Sequence, residues 1–149
     1  MHLPITVAIA DDHLLYCQAL AACLAKHKDI ELVAYTGSGA ELLLLVKQRH
    51  IDVVLVDIRM AGMDGIETCR KSLELQPGIG VIAITMHDDP AYVAEMYKAG
   101  ALGYLLKDAE EEDIIATIKF VYKKGTSFDA HSTPALKKLA CSKHAACKL

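Results

Sequence analysis

Short runs of aliphatic and β-branched residues alternate along this chain with longer segments of helical periodicity. Five such pairs can be counted, and the predicted strands are Ile5–Ala10, Ile30–Thr36, Val53–Asp57, Gly80–Thr85 and residues 101–106. This alternation is typical of repeated βα units, whose strands form a parallel sheet. The first, third and fourth runs are almost wholly apolar, as expected for strands that helices cover on both faces. The sequence therefore predicts an α/β fold with a central parallel sheet.

Acidic residues mark the predicted helix starts. Asp64 with Glu67 has the spacing of an N-cap residue and the third residue of a helix. Asp108 with Glu111 has the same spacing, and Asp89–Pro90 fits an N-cap and a first helical position. The last predicted helix has one apolar stripe, formed by Ile114, Ile118, Val121 and Tyr122 with Ile115 beside it.

The length of 149 residues fits one domain, which we place at residues 1–125. Residues 126–149 are predicted to be a tail or linker, because they are too few for an independent domain. The net charge of −3 gives no overall attraction to nucleic acid, and the apolar runs are too short to cross a bilayer. No secretory leader is visible, and the five cysteines lack a regular framework, so we expect free thiols in the cytoplasm.

Chemically active side chains stand at the ends of the predicted strands. They are Asp11 and Asp12 after the first strand, Asp57 in the third, Thr85 in the fourth and Lys107 after the fifth. Ligands of open parallel α/β sheets bind at the carboxyl ends of the strands, so we expect these groups to share one edge. Three carboxylates there would repel one another unless a cation offsets them, and Mg²⁺ prefers such oxygen ligands.

Among the acids, Asp57 is the best candidate for a nucleophile. It ends a central strand and precedes a Gly-containing loop, residues 58–65, that is expected to leave the edge accessible. Carboxylates are known nucleophiles in aspartyl-phosphate chemistry. Lys107 would then pair with one phosphoryl oxygen and the Thr85 hydroxyl would bond another.

These residues resemble the receiver domain of bacterial response regulators. The resemblance extends over residues 5–124 and rests on Ala10-Asp11-Asp12-His13, Val56-Asp57-Ile58-Arg59-Met60, Gly62-Met63-Asp64-Gly65, Ile84-Thr85 and Gly103-Tyr104-Leu105-Leu106-Lys107. The Asp-His pair and the Leu-Leu-Lys-Asp run are most similar to the NarL/FixJ subgroup. The resemblance implies a flavodoxin-like, doubly wound (βα)5 fold with strand order 2-1-3-4-5.

The resemblance also implies a function and roles for single residues. Asp57 would accept a phosphoryl group from a sensor histidine kinase and lose it slowly, so the protein would be a switch and not an enzyme for other substrates. Mg²⁺ would be held by Asp11 through water, and directly by Asp12, Asp57 and the carbonyl of Arg59. Thr85 and Tyr104 would form the switch pair, with Thr85 moving toward the phosphoryl group and Tyr104 turning inward.

Three features depart from the family pattern. Ala61 and Asp108 stand where Pro is common, and a cis Lys107–Asp108 bond would cost about 3 to 4 kcal/mol. NarL/FixJ-type chains usually continue into a helix-turn-helix domain, whereas this sequence stops at Leu149. We expect a transcriptional output domain that is absent here, with DNA bound only through it. A stand-alone receiver that acts through protein–protein contacts, and a homodimer formed on phosphorylation, are left open.

Weaker interpretations compete with several of these assignments. Asp11-Asp12 could cap the first helix, and Tyr104 could be only an edge-strand aromatic. Gly37-Ser38-Gly39 is interpreted as a turn and N-cap and not a nucleotide loop, because Leu42 replaces the third glycine. His87, two residues after Thr85, could tune water access to a phosphoryl group, but it is more simply interpreted as an exposed loop histidine without a catalytic role. A zinc site is not favoured at the tail residues His131, Cys141, His144 and Cys147, whose spacing matches no finger pattern.

Two other function classes are kept as alternatives. A Mg²⁺-dependent phosphatase or phosphotransferase would use the same acids on small substrates, but it would need a second acid at the position of Arg59. A purely structural receiver-like module would bind its partners normally with Asp57 mutated.

Overall fold

The computed structural model describes residues 3–86 and 90–124 of the chain. In this part, five strands alternate with five helices. In chain order they are β1 (Ile5–Ala10), α1 (Leu14–Ala25), β2 (Ile30–Thr36), α2 (Gly39–Gln48), β3 (Val53–Asp57), α3 (Gly65–Leu75), β4 (Gly80–Thr85), α4 (Pro90–Lys98), β5 (Gly103–Leu106) and α5 (Glu111–Lys124).

All neighbouring strands are parallel and their order is β2-β1-β3-β4-β5, which confirms the predicted flavodoxin-like topology. Ala10 pairs with Val56 in the strand register, and Thr85 pairs with Leu106. The carboxyl ends of β1, β3, β4 and β5 therefore lie side by side. Residues just beyond these ends are brought together regardless of their distance along the chain.

Helices cover both faces of the sheet, which explains why β3 and β4 are buried along their whole length. Alternate residues of β3 serve the two faces. Val54 and Val56 pack with α2, α3 and α4, whereas Val53 and Leu55 pack with α1 and α5. The two apolar clusters therefore pack against opposite faces of the sheet, and polar groups lie at the ends of its strands.

The predicted caps of α2 and α3 are confirmed. The Ser38 hydroxyl accepts a hydrogen bond from the backbone N–H of Glu41 at 3.2 Å. The Asp64 carboxylate accepts one from the N–H of Glu67 at 2.9 Å. Each bond satisfies a backbone donor that has no partner within the helix.

The predicted start of β5 at residue 101 is wrong by two residues. The Ala101 N–H bonds the carbonyl of Met96 at 3.0 Å, so this residue still closes the end of α4. Gly100, with φ of +111°, turns the chain there. The strand can begin only after that turn, at Gly103.

Two predictions about α5 are also wrong. Asp108 does not cap this helix, because a turn closed by the Ala109 N–H on the Leu106 carbonyl (3.0 Å) separates it from the first helical residue, Glu111. Tyr122 does not belong to the buried stripe and is 49% exposed. Thr117 is buried instead. Its hydroxyl donates a hydrogen bond to the Asp113 carbonyl at 2.7 Å, so it is buried without losing a partner.

Some expectations concern residues outside the described part of the chain. They are the cap at Asp89, the loop residue His87, and the tail 126–149 with its Cys and His residues. Within the described residues no peptide bond is cis, so Lys107–Asp108 is trans. No helix in that part of the chain is long and apolar enough to cross a membrane.

Candidate functional site

Three strands deliver charged groups to one point at the edge of the sheet. Asp57 is the last residue of β3, and Asp11 follows β1 with its backbone N–H bonded to the Thr36 carbonyl at 3.0 Å. Lys107 follows β5, and its N–H bonds the Thr85 carbonyl at 2.8 Å. These backbone bonds continue the sheet pairing beyond the strand ends and fix where each side chain starts.

Close packing after β3 also shapes the site. Gly65 begins α3 directly against the backbone of Asp57 and Ile58, where a Cβ atom would collide with the Asp57 carbonyl. Its N–H bonds the Ile58 carbonyl at 2.9 Å. A glycine is therefore required at position 65 to draw the loop back onto the strand that carries Asp57.

The ammonium group of Lys107 lies between two buried carboxylates. Lys107 Nζ is 2.6 Å from Asp11 Oδ2 and 3.3 Å from Asp57 Oδ2. The Asp11 side chain is fully buried and the other two are only 5% exposed. The short contact with Asp11 is an ion pair without hydrogen-bond geometry, because Asp11 Oδ2 has no hydrogen-bond partner among the described residues.

Asp12 stands at the mouth of the site, where its side chain is 38% exposed. Its Oδ2 atom accepts a hydrogen bond from the N–H of Ala61 at 3.4 Å. The N–H of Arg59 donates to Asp57 Oδ1 at 3.3 Å. The loop after β3 therefore contacts carboxylates from two strands.

His13 belongs to the same cluster, although no role was predicted for it from the sequence. His13 Nδ1 lies 3.1 Å from Asp11 Oδ1, 3.5 Å from Asp12 Oδ1 and 3.8 Å from Asp57 Oδ2. The available signal was its position directly after the paired acids at a strand end. A histidine there is close to the carboxylates whichever way the first helix begins.

The structure also decides whether the paired acids cap α1. The N-cap residue of this helix is His13, whose side chain makes no cap hydrogen bond. Asp11 Oδ1 accepts a hydrogen bond from the His13 N–H at 2.9 Å, before the helix begins. The capping interpretation of Asp11-Asp12 is therefore wrong.

Burial, first, and the negative charge of Asp11, second, raise the pKa of Asp57 to about 6. The positive charge of Lys107 opposes this shift. Three acids and one lysine leave a net charge of about −2 before any contribution from His13. The cluster thus carries an unbalanced negative charge in a poorly solvated place.

This charge and geometry fit a divalent cation. Ligand atoms from Asp11, Asp12, His13 and Asp57 all lie within 4.8 Å of one another. The buried Asp11 Oδ2 atom, which lacks a hydrogen bond, is the kind of oxygen that a hard cation satisfies. The cluster can therefore bind a metal.

The two residues predicted as a switch pair lie differently with respect to this cluster. Thr85 ends β4 beside β3 and is 7% exposed. Tyr104 is 1% exposed and packs within the apolar cluster under α2, α3 and α4. Tyr104 lies on the edge strand β5, and its ring is already turned inward in this structure.

Comparison with known proteins gives a consistent result. A family model described as the response regulator receiver domain matches residues 7–119. The transcriptional regulatory protein DegU of Brevibacillus brevis is 35% identical over 81% of this chain and 51% of its own length. The transcriptional regulatory protein UhpA of Escherichia coli is 36% identical over 81% of this chain and 60% of its own length. The chain spans only about half of the DegU protein and somewhat more of UhpA.

Solved structures agree with this assignment. The NarL signal receiver domain from Mycobacterium tuberculosis is 31% identical, with a TM-score of 0.78 over 83% of this chain and 99% of that one. A DNA-binding response regulator of the LuxR family from Staphylococcus aureus is 28% identical, with a TM-score of 0.74 over 80% of this chain and 99% of that one. With its strand order, its strand-end acids and these similarities, the chain belongs to the response regulator receiver domain family.

Proposed function

We propose that this chain is the phosphorylation-controlled switch of a two-component system and that Asp57 accepts the phosphoryl group from a sensor histidine kinase. The observation that carries the proposal is the position of the Asp57 carboxylate, at the end of the central strand and 3.3 Å from Lys107 Nζ. Asp57 itself is 4% exposed, and the more exposed Asp12 and His13 line the approach to it.

The two oxygens of Asp57 have different partners, which suggests different roles. Oδ1 accepts the N–H of Arg59, whereas Oδ2 faces Lys107. In the proposed reaction a carboxylate oxygen of Asp57 bonds to phosphorus, and the bond from phosphorus to the kinase histidine nitrogen breaks. The electron pair of that bond leaves with the imidazole. Lys107 pairs with the charge on the phosphoryl oxygens and the Thr85 hydroxyl donates to one of them.

We assign Mg²⁺ to the carboxylate cluster, with Asp11, Asp12, Asp57 and the carbonyl of Arg59 as its protein ligands. Mg²⁺ prefers oxygen ligands, and it would offset the charge between these acids and an incoming phosphoryl group. The net charge of the acids and Lys107 matches a divalent ion. An ionised Asp57 is the reactive form, so a cation that lowers its raised pKa also favours the reaction.

Acetyl phosphate tests this proposal without knowledge of the kinase. With Mg²⁺, the intact mass of the chain should rise by one phosphoryl group, and chelation of the metal should suppress the increase. Asp57→Ala should show no increase. Asp29→Ala is a matched control, because Asp29 is an exposed acid that pairs with Lys119 far from the cluster. Equal labelling of Asp57→Ala and the wild type would reject the proposal.

For the response to phosphorylation we propose Thr85 and Tyr104 as the coupled pair. Thr85 lies at the end of β4, and Tyr104 on β5 pairs with Ala83, two residues before Thr85. Movement of the Thr85 hydroxyl toward the phosphoryl group would stabilise the inward position that the Tyr104 ring already has here. Phosphorylation would thereby favour one form of the surface made by α4, β5 and α5. Light scattering before and after phosphorylation tests whether that surface forms a homodimer.

The proposed output is transcriptional. DegU and UhpA are named as transcriptional regulatory proteins, and each is considerably longer than its match to this chain. We therefore assign this receiver to a cytoplasmic regulator whose DNA binding belongs to a separate domain. A stand-alone receiver acting by protein contacts is the alternative. The coding sequence after the codon for Leu149 distinguishes the two.

A metal-dependent phosphatase is less well supported. Position 59, two residues after Asp57, holds an arginine whose guanidinium stacks on the Tyr92 ring at 4.5 Å. This position therefore offers no second carboxylate to protonate a leaving group. Turnover of small phosphate esters by the chain would favour the phosphatase over the switch.

A further inference from the structure

We propose that His13 is a nitrogen ligand of the metal site and that it makes the site prefer Mn²⁺ over Mg²⁺. This inference rests on the metal site of the proposed function and goes beyond it, because that site needs only oxygen ligands. It concerns one imidazole, at the position directly after the paired acids.

The distances place His13 Nδ1 inside the ligand cluster and not beside it. This atom lies within 3.8 Å of a carboxylate oxygen from each of Asp11, Asp12 and Asp57. The imidazole is 58% exposed, so it forms the solvent side of the cluster while Asp11 forms the buried side. The ring nitrogen is therefore placed to serve as a ligand on the solvent side of an ion that the acids hold.

The contact between His13 and Lys107 is compatible with a ligand role for the ring. Lys107 Nζ is 2.9 Å from His13 Nδ1, and an ammonium group can only donate. In the tautomer that carries its proton on Nε2, Nδ1 accepts this hydrogen bond. Its lone pair then points into the cluster, as a metal ligand requires.

Lys107 marks the place of a cation within the cluster. Its ammonium contacts Asp11, Asp57 and His13 at 2.6, 3.3 and 2.9 Å. A positive group is therefore already stabilised by two carboxylates and one imidazole together. A metal ion that uses the same acceptors must displace the ammonium from His13, and the freed Nδ1 lone pair is then available to the ion.

The chemistry of the ligands predicts the preference. Mg²⁺ favours oxygen and binds imidazole poorly, whereas imidazole suits first-row transition ions. Mn²⁺ accepts carboxylates as readily as Mg²⁺ and gains from a nitrogen ligand. It is also a better probe than Zn²⁺ here, because thiolates select Zn²⁺ and the chain has five cysteines.

The direct test is pulsed electron paramagnetic resonance of Mn²⁺ bound to the tag-free chain. Protein labelled with ¹⁵N only at histidine should show a ¹⁵N coupling of a directly bound nitrogen. The coupling should disappear in His13→Ala and persist in His50→Ala, whose exposed imidazole pairs with Asp52 at 2.9 Å. Bound Mn²⁺ without histidine coupling in the wild type, or with unchanged coupling in His13→Ala, overturns the inference.

Metal affinity supplies the second readout. Titration calorimetry should show that His13→Ala weakens Mn²⁺ binding by about tenfold and leaves Mg²⁺ binding nearly unchanged. His13 makes no side-chain cap bond to α1, so alanine leaves the helix start intact. Equal losses for both ions would overturn the inference. The acetyl phosphate reaction with Mg²⁺ is scored separately: its failure rejects the proposed function, whereas its success with unchanged Mn²⁺ affinity rejects only the role of His13.

Discussion

Asp57 combines two properties that oppose each other, namely burial and negative charge. Its carboxylate is nearly enclosed, and Asp11 adds a second negative charge beside it. The resulting pKa of about 6 means that ionisation near neutral pH costs the folded state free energy. A protein that keeps an acid in such a place retains it for chemistry and not for stability.

Asp57→Asn should therefore stabilise the fold. The ordinary aspartate pKa of 3.8 is raised to about 6 in the folded protein, so the wild type loses stability as the pH rises from about 4 to 6 and regains none above it. Without divalent ions, the variant should raise the unfolding temperature at pH 7.5 by roughly 3 °C or more, and the gain should vanish near pH 3.5. A gain that is constant with pH would contradict this account of Asp57.

Mg²⁺ should reduce the stability advantage of Asp57→Asn over the wild type. The ion binds only the folded site, so it stabilises the wild type by mass action and stabilises Asp57→Asn less, because one charged ligand is missing. Thermal unfolding of both proteins in a Mg²⁺ series measures the effect. Equal shifts for the two proteins would mean that Asp57 does not bind the ion.

Lys107 should contribute strongly to stability because it neutralises buried acids. Lys107→Met removes one partner of a buried ion pair and should lower the free energy of unfolding at pH 7.5 by about 3 kcal/mol. Lys98→Met is the control, since this exposed lysine is 3.8 Å from Glu95 and should cost less than about 0.5 kcal/mol. Denaturant unfolding compares them, and equal small losses would show that the buried pair is not stabilising.

Most residues of the site could be predicted from the sequence, for a physical reason. Asp11, Asp57 and Lys107 lie next to strands whose apolar runs are unmistakable, and parallel strands align their ends. The position of His13 depends instead on how the chain turns into α1. The raised pKa of Asp57 depends on burial by the surrounding loops, which no spacing rule describes.

Among the helices, the same cap spacing in the sequence was correct at one predicted start and wrong at another. Asp64 and Asp108 have the same spacing to a later glutamate, yet only Asp64 caps a helix. The turn from Leu106 to Ala109 includes Asp108, so this residue is not the N-cap of α5. The spacing of Asp108 and Glu111 could not reveal that turn. The turn depends on the hydrogen bond from the Lys107 N–H to the Thr85 carbonyl at the end of β4.

This difference predicts different costs for two similar substitutions. Asp64→Ala should lower the free energy of unfolding by about 1 kcal/mol, because the N–H of Glu67 loses its acceptor. Asp108→Ala should change it by less than about 0.5 kcal/mol, because that side chain is exposed and does not cap α5. Urea unfolding at pH 7.5 measures both, and a larger loss at Asp108 would contradict the observed start of α5.

At the scale of the whole molecule, strand patterns and family resemblance together predicted the topology. The apolar runs of β1, β3 and β4 predict a doubly covered sheet, whereas the order 2-1-3-4-5 came from the resemblance and not from the patterns themselves. The start of β5 and the burial of Tyr122 were mispredicted, because the first depends on the turn at Gly100 and the second on packing at the margin of an apolar cluster. The buried sheet thus ends in a charged edge.

The most direct test of the proposed switch determines which residue carries the phosphoryl group. The chain is treated with acetyl phosphate and Mg²⁺, the acyl phosphate is reduced with borohydride to homoserine, and the digested peptides are sequenced by mass spectrometry. Phosphorylation of Asp57 should give homoserine at position 57 and nowhere else. Homoserine at another acid, with Asp57 unmodified, would contradict it.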